Sequence, residues 1–156
     1  MRRLLAILAT GILGMTLFAT VASAATVDLQ GRIHAGGAGL AHFNGGGSLE
    51  GRLAAGVIIV KGDPARVDVE GYGRKYRIDD GFVYEGARGQ IRIVGRDLDI
   101  TLAGAGAELH AAGNWDVILH GHGRYTTSEG ERGVWSGQPL HIDGDVDDGI
   151  TEGLEE

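Results

Sequence analysis

His120 and His122, two residues apart, are the side chains best suited by type and spacing to do chemistry in this chain. On a strand, alternate side chains share a face, so the two imidazoles present a paired nitrogen donor set for an ion such as Zn²⁺. Val117 and Leu119 occupy the other phase, which places the histidines on the solvent face beside Asp116 and Arg124. A third ligand has to come from elsewhere, and His110 and His141 have the right type. The same two residues also satisfy a plainer reading, as surface histidines on a polar strand face. A second candidate is Asp143, Asp145 and Asp147, spaced as the first three oxygen ligands of a calcium loop, with Ile150 in its apolar position. Asp148 stands where the loop's sharp turn wants glycine, and Leu154 where a bidentate Glu belongs. A solvated acidic tail explains these residues equally well.

Tyr72-Gly73-Arg74-Lys75-Tyr76-Arg77 interleaves aromatics with cations, a pattern that stacks on sugars or accepts an anionic polymer. Its structural reading puts Tyr76 and Ile78 at the core edge and points Lys75 and Arg77 to water. Trp115 and Trp135 read as core or edge closures. Catalysis has little support. Ser48, Ser128 and Ser136 lie outside any Gly-x-Ser-x-Gly elbow. Asp79-Asp80 flanks a turn, and Asp97 and Asp99 lie on a solvent face, where carboxylates are the expected surface residues. The chain is therefore read as a non-enzyme with no required cofactor, Ca²⁺ and Zn²⁺ being the ions its residues would suit.

The chemistry sits in a chain with export features. Arg2 and Arg3 precede an apolar run from Leu4 to Val21, and Ala22-Ser23-Ala24 forms an Ala-x-Ala cleavage site. Residues 1–24 read as a signal peptide, the mature chain begins at Ala25, and the destination is periplasmic or extracellular. Without a cysteine the chain has no thiol chemistry, disulfide or lipidation site. No later apolar run is long enough to span a bilayer. The net charge of −7 becomes −9 without Arg2 and Arg3. Seven of the acids lie in residues 143–156, which hold no Lys or Arg, so the body is close to neutral. Neither part carries an electrostatic footprint for nucleic acid.

The elements that must position these residues announce themselves through a short unit, apolar-x-apolar-x-Gly. It reads Ile58-x-Val60-x-Gly62, Val67-x-Val69-x-Gly71, Phe82-x-Tyr84-x-Gly86, Ile91-x-Ile93-x-Gly95, Ile100-x-Leu102-x-Gly104, Leu109-x-Ala111-x-Gly113 and Val117-x-Leu119-x-Gly121. Looser copies end at Gly31, Gly37 and Gly45. Alternation over so few residues predicts strands with one buried face, each closed by a glycine turn or corner. Helix is disfavoured, because each interior glycine costs it about 1 kcal/mol relative to alanine. Asp80-Gly81 is the strongest hairpin signal and sits in the one long gap between glycines, as an insertion into the repeat. Gly62-Asp63-Pro64 and Gly113-Asn114 read as further turns.

The period of about nine is odd. In a simple meander it would set apolar residues opposite polar ones, since a one-residue slip flips every side chain. The chain must therefore bulge at many turns or bend at corners in one direction. The expected fold is one all-β domain over 25–142, a rolled or solenoid-like short-strand repeat, with an ordinary antiparallel sandwich or barrel as the alternative. Residues 143–156 form an acidic, disordered tail. The pattern resembles exported glycine-rich β-repeat proteins without an assigned role, including adhesin-head-like domains built as β-helices. That resemblance implies an envelope or surface location and no chemistry. The functional expectation is an exported structural or interaction protein, with envelope protein or polysaccharide as partner. The alternative is a small binding module for Ca²⁺, Zn²⁺ or polysaccharide.

Overall fold

The computed structural model describes residues 29–142. Five strands make up the described chain: β1 (Leu29–Val69), β2 (Arg74–Ile78), β3 (Gly81–Thr127), β4 (Arg132–Ser136) and β5 (Leu140–Ile142). All pair antiparallel in one sheet that does not close. Among the described residues there is no helix, and so none long and apolar enough to cross a membrane.

The two long strands are the arms of a single hairpin. Its tip is the two-residue loop Asp79-Asp80, between the paired residues Ile78 and Gly81. From there the arms zip outward through Val69↔Ile91, Val60↔Ile100, Leu49↔Ala111 and Ala35↔Tyr125 to Ile33↔Thr127. The Asp-Gly signal is therefore not an insertion into a repeat. It marks the reversal of the whole ribbon, and the long glycine gap is where the chain changes direction.

A second ladder joins the same two strands on their other edges. Ala35 pairs with Tyr125 and also with Leu109; Phe43 with Val117 and Ile100; Leu49 with Ala111 and Ile93; Val60 with Ile100 and Phe82. A strand has only two edges, so β3 flanks β1 on both, and the ribbon is wound on itself. Its passes fall into two walls. The first orders β4, 123–127, 33–37, 107–111, 49–53, 89–93 and 66–69; the second orders β5, 117–119, 41–45, 98–102, 57–61, 81–85 and β2.

Glycines form the two seams between the walls. Gly121, Gly39, Gly104 and Gly56 pair in succession along one, and Gly31, Gly113, Gly47 and Gly95 along the other. The Gly47–Gly113 pair shows why. A Cβ on Gly113 would fall 2.3 Å from the Gly46 carbonyl oxygen and 2.8 Å from the Gly47 Cα. Both residues also hold positive φ, +142° and +136°, a region side chains rarely enter. Gly62-Asp63-Pro64 and Gly113-Asn114 are corners of this kind rather than free turns, since Asp63, Pro64 and Asn114 stay paired in the ladder.

The odd period is absorbed at these corners. Gly37 pairs with Ala107 but Gly39 with Gly104, and Gly45 with Leu98 but Gly47 with Gly95. At these two corners β3 spends one residue more than β1, which restores the apolar phase on the next wall. The apolar positions of the sequence units therefore all face one interior. Phe43, Leu49, Ile58, Ile93, Ile100, Leu109, Val117 and Leu119 belong to a single buried cluster. Ala41 and Leu102 of the second wall meet Leu53, Leu109 and Trp135 of the first around a void no larger than one water. Trp115 and Trp135 are 2% and 5% exposed and close the core as expected. Trp135 lies over Gly123 and Gly37, where no Cβ would leave it room.

Candidate functional site

Winding the ribbon turns the outward positions of each wall into straight rows across the sheet. On the first wall one row runs Thr126, His34, His110, Glu50, Arg92, Asp68, every neighbour a direct cross-strand partner. The next runs Arg124, Gly36, Glu108, Arg52, Gln90. Adjacent strands lie about 4.8 Å apart, so the longer row spans roughly 24 Å. The side chains are exposed and nearly all polar, because the apolar phase of every pass is consumed by the core. Arg92 Nε lies 3.1 Å from Glu50 Oε1, and Arg66 pairs with Asp68. An open trough of about 540 Å³ runs between Arg52, Arg66, Gln90 and Arg92. A second, of about 610 Å³ around Arg32, His34 and Ser48, adjoins it through Glu50 and His110.

His34 and His110 meet face to face at the junction of the troughs. Their ring centroids are 4.0 Å apart and the planes differ by 12°. Neither pair of ring nitrogens has a hydrogen-bond or ion-pair partner among the described residues. The other paired histidines are engaged. His42 Nδ1 is 3.0 Å from Thr101 Oγ1 and 3.6 Å from Asp99, and His141 pairs with Asp116.

The expected metal pair sits differently from a flat-strand His-x-His. His120 and His122 are both exposed, but Gly121 between them is a seam glycine, so His120 belongs to the second wall and His122 opens the first. His120 Nε2 lies 3.1 Å from the Gly137 carbonyl oxygen, which takes that nitrogen as a donor. His110, suggested as a third ligand, is placed beside His34 instead, and His141 is held by Asp116. Among the described residues no three His, Asp or Glu side chains converge as a metal group. Asp143, Asp145 and Asp147 lie outside the described residues.

The aromatic–cation segment also departs from expectation. Lys75 pairs opposite Tyr84, in the inward phase, and its Nζ lies 4.4 Å from the Phe82 ring centroid and 4.9 Å from that of Tyr84. It covers the end of the core rather than pointing away from it, because no further pass follows to cover Phe82 and Tyr84. Tyr72 joins edge-on to Tyr84 at 5.3 Å. Tyr76 turns outward, 41% exposed, and its hydroxyl donates to Glu85 Oε1 at 3.1 Å. That hydrogen bond raises the Tyr76 pKa above 10.0, with smaller contributions from desolvation and the Glu85 charge.

The hydroxyl and carboxylate residues considered for catalysis are spread over the surface. Ser128 Oγ accepts a bond from the Arg32 backbone N–H at 3.2 Å. Asp97 takes positive φ, 49°, at a corner, a conformation its short side chain tolerates better than most. Asp80 lies 3.9 Å from Lys61 at the hairpin tip. His34 escaped the sequence reading because its unit is a loose copy of the repeat and because its partner is fixed only by the second ladder. Compared with known protein families, curated proteins and solved structures, the chain matches none.

Proposed function

We propose that this is an exported, non-catalytic interaction protein of the cell envelope, and that its working surface is the outer face of the first wall. The observation that carries the reading is the cross-strand row of polar side chains, continuous over six passes and set along two adjoining open troughs. A surface that repeats every 4.8 Å suits an extended polymer with a similar repeat, contacting each pass in the same way. Planar Arg, His and Gln side chains hydrogen-bond and stack on sugar rings, which favours envelope polysaccharide over an envelope protein as partner. The nine-residue glycine-closed unit is then the device that builds the face, one row position per pass. The leader at residues 1–24 supplies the route, with cleavage before Ala25.

Co-sedimentation of the exported protein with purified envelope polysaccharide tests this. Binding is expected to fall at least about tenfold when Arg52 and Gln90 are both changed to Ala, the loss of two charge-assisted or polar contacts. Ile59→Thr on the opposite wall is expected to leave it unchanged. Equal loss from both variants, or no sedimentation of the parent protein, would sink the reading. Amino-terminal sequencing of the exported form is expected to begin at Ala25.

A further inference from the structure

We propose that His34 and His110 form a two-point chelate for a divalent transition ion of the nickel, copper and zinc group, within the row assigned above to polysaccharide but tested separately from it. Two features of the structure point to it. The imidazoles project from directly paired residues of β1 and β3, so their Cβ atoms are held by the backbone ladder itself. The rings already stack at 4.0 Å, and their nitrogens have no competing partner among the described residues.

Direct cross-strand pairing puts both imidazoles within reach of one ion. Zn–N bonds of about 2.0–2.1 Å place two nitrogens on a tetrahedral ion roughly 3.3 Å apart. The stacked rings, with planes 12° apart, aim their nitrogen lone pairs nearly parallel, so binding turns both side chains about their χ angles until the two ring planes converge on the ion. Neutral imidazole selects borderline ions rather than Ca²⁺ or Mg²⁺, and the chain has no thiolate to favour a softer one. Solvent completes the coordination, because Glu50, next to His110 in the row, is held by Arg92. The site is thus an open one, able to take a further ligand from a bound partner. His120 and His122 do not compete well, since the seam bends between them and the Gly137 carbonyl holds His120.

The test uses the EDTA-stripped protein titrated with Zn²⁺, read by calorimetry and by the histidine ring resonances. One equivalent is expected to bind saturably and to shift the rings of His34 and His110 first. His34→Gln and His110→Gln are each expected to weaken binding at least tenfold, about what loss of a ligand's support costs. His120→Gln and His122→Gln are expected to leave it intact. The ring shifts are read on the unaltered protein, so the assignment stands even if one variant folds poorly. Absence of saturable binding, ring shifts confined to His120 and His122, or full affinity in His34→Gln would each overturn the proposal.

Discussion

Tyr125 shows how much a single side chain here depends on its pass. It is 7% exposed, its ring lies over Gly133, and its hydroxyl donates to Glu131 Oε1 at 2.9 Å. Burial raises its pKa above 10.0, and the hydrogen bond and negative charge of Glu131 raise it further. The sign of the stability effect follows. The neutral phenol is favoured in the folded state, so the unfolded chain loses the proton first as pH climbs past the ordinary value. Its stabilising contribution is complete below about pH 10 and disappears as pH rises through the folded pKa. Titration followed at 295 nm is expected to show two tyrosines, Tyr125 and Tyr76, ionising late, and Glu131→Gln to bring one of them earlier. An unchanged curve in that variant would mean that Glu131 does not act on the phenol. Tyr76 makes the same kind of bond to Glu85 but at the surface, so its ionisation is expected to leave the melting temperature unmoved.

At the scale of the element, glycine does two different things, and substitution separates them. Gly113 sits in a seam with φ of +136° and a Cβ space already filled by Gly46 and Gly47. Gly36 lies in the first wall, where the nearest atom to an added Cβ is the Ala107 carbonyl oxygen at 3.6 Å. Gly113→Ala is expected to destabilise by about 2–4 kcal/mol, from backbone strain and overpacking together. Gly36→Ala is expected to be neutral or to stabilise by up to about 1 kcal/mol, by restricting the unfolded chain. Urea unfolding of the two variants measures both, and similar losses would show that the seams are not special. The apolar phase of each pass and the glycine spacing were legible in the sequence, because alternation and missing side chains are local signals. The all-β class and the identity of the buried residues followed from them. The second ladder was not legible. Its offset depends on how many residues one turn of the ribbon consumes, and that is a property of the corners taken together. His34 meets His110 through that offset, whereas Lys75 was misplaced because an end pass has no neighbour to cover its aromatic partners.

Most of the described chain is one long hairpin, and that sets how it holds together. Its short-range pairing is confined to the Asp79-Asp80 tip and the turn from Thr126 to Arg132 into β4, while Ile33 and Thr127 close the far end of the long arms across most of the described chain. Non-local pairing of this kind makes folding slow, because loop closure must precede the contacts that reward it. Once wound, the passes are not equivalent. Those at 41–45, 49–53, 98–102 and 107–111 have a bonded strand on both edges, whereas 66–69, β2, β4 and β5 end the walls. The tip end is guarded by charge, with Arg66, Asp68 and Glu70 on one wall and Arg74, Lys75 and Arg77 on the other. That arrangement resists edge-to-edge pairing with a second chain. The opposite end offers short strands, with Val134 66% exposed. Native-state hydrogen exchange is therefore expected to show a gradient along the stack of passes. Amides of the central passes should exchange only through global unfolding, and those of β2, β4 and β5 through local opening at clearly lower free energy. The gradient should survive removal of metal, since the His34–His110 pair ties two passes already joined by the ladder. Protection equal at the ends and the centre would mean that the walls open as one unit, and that the end strands are as firmly held as the seams.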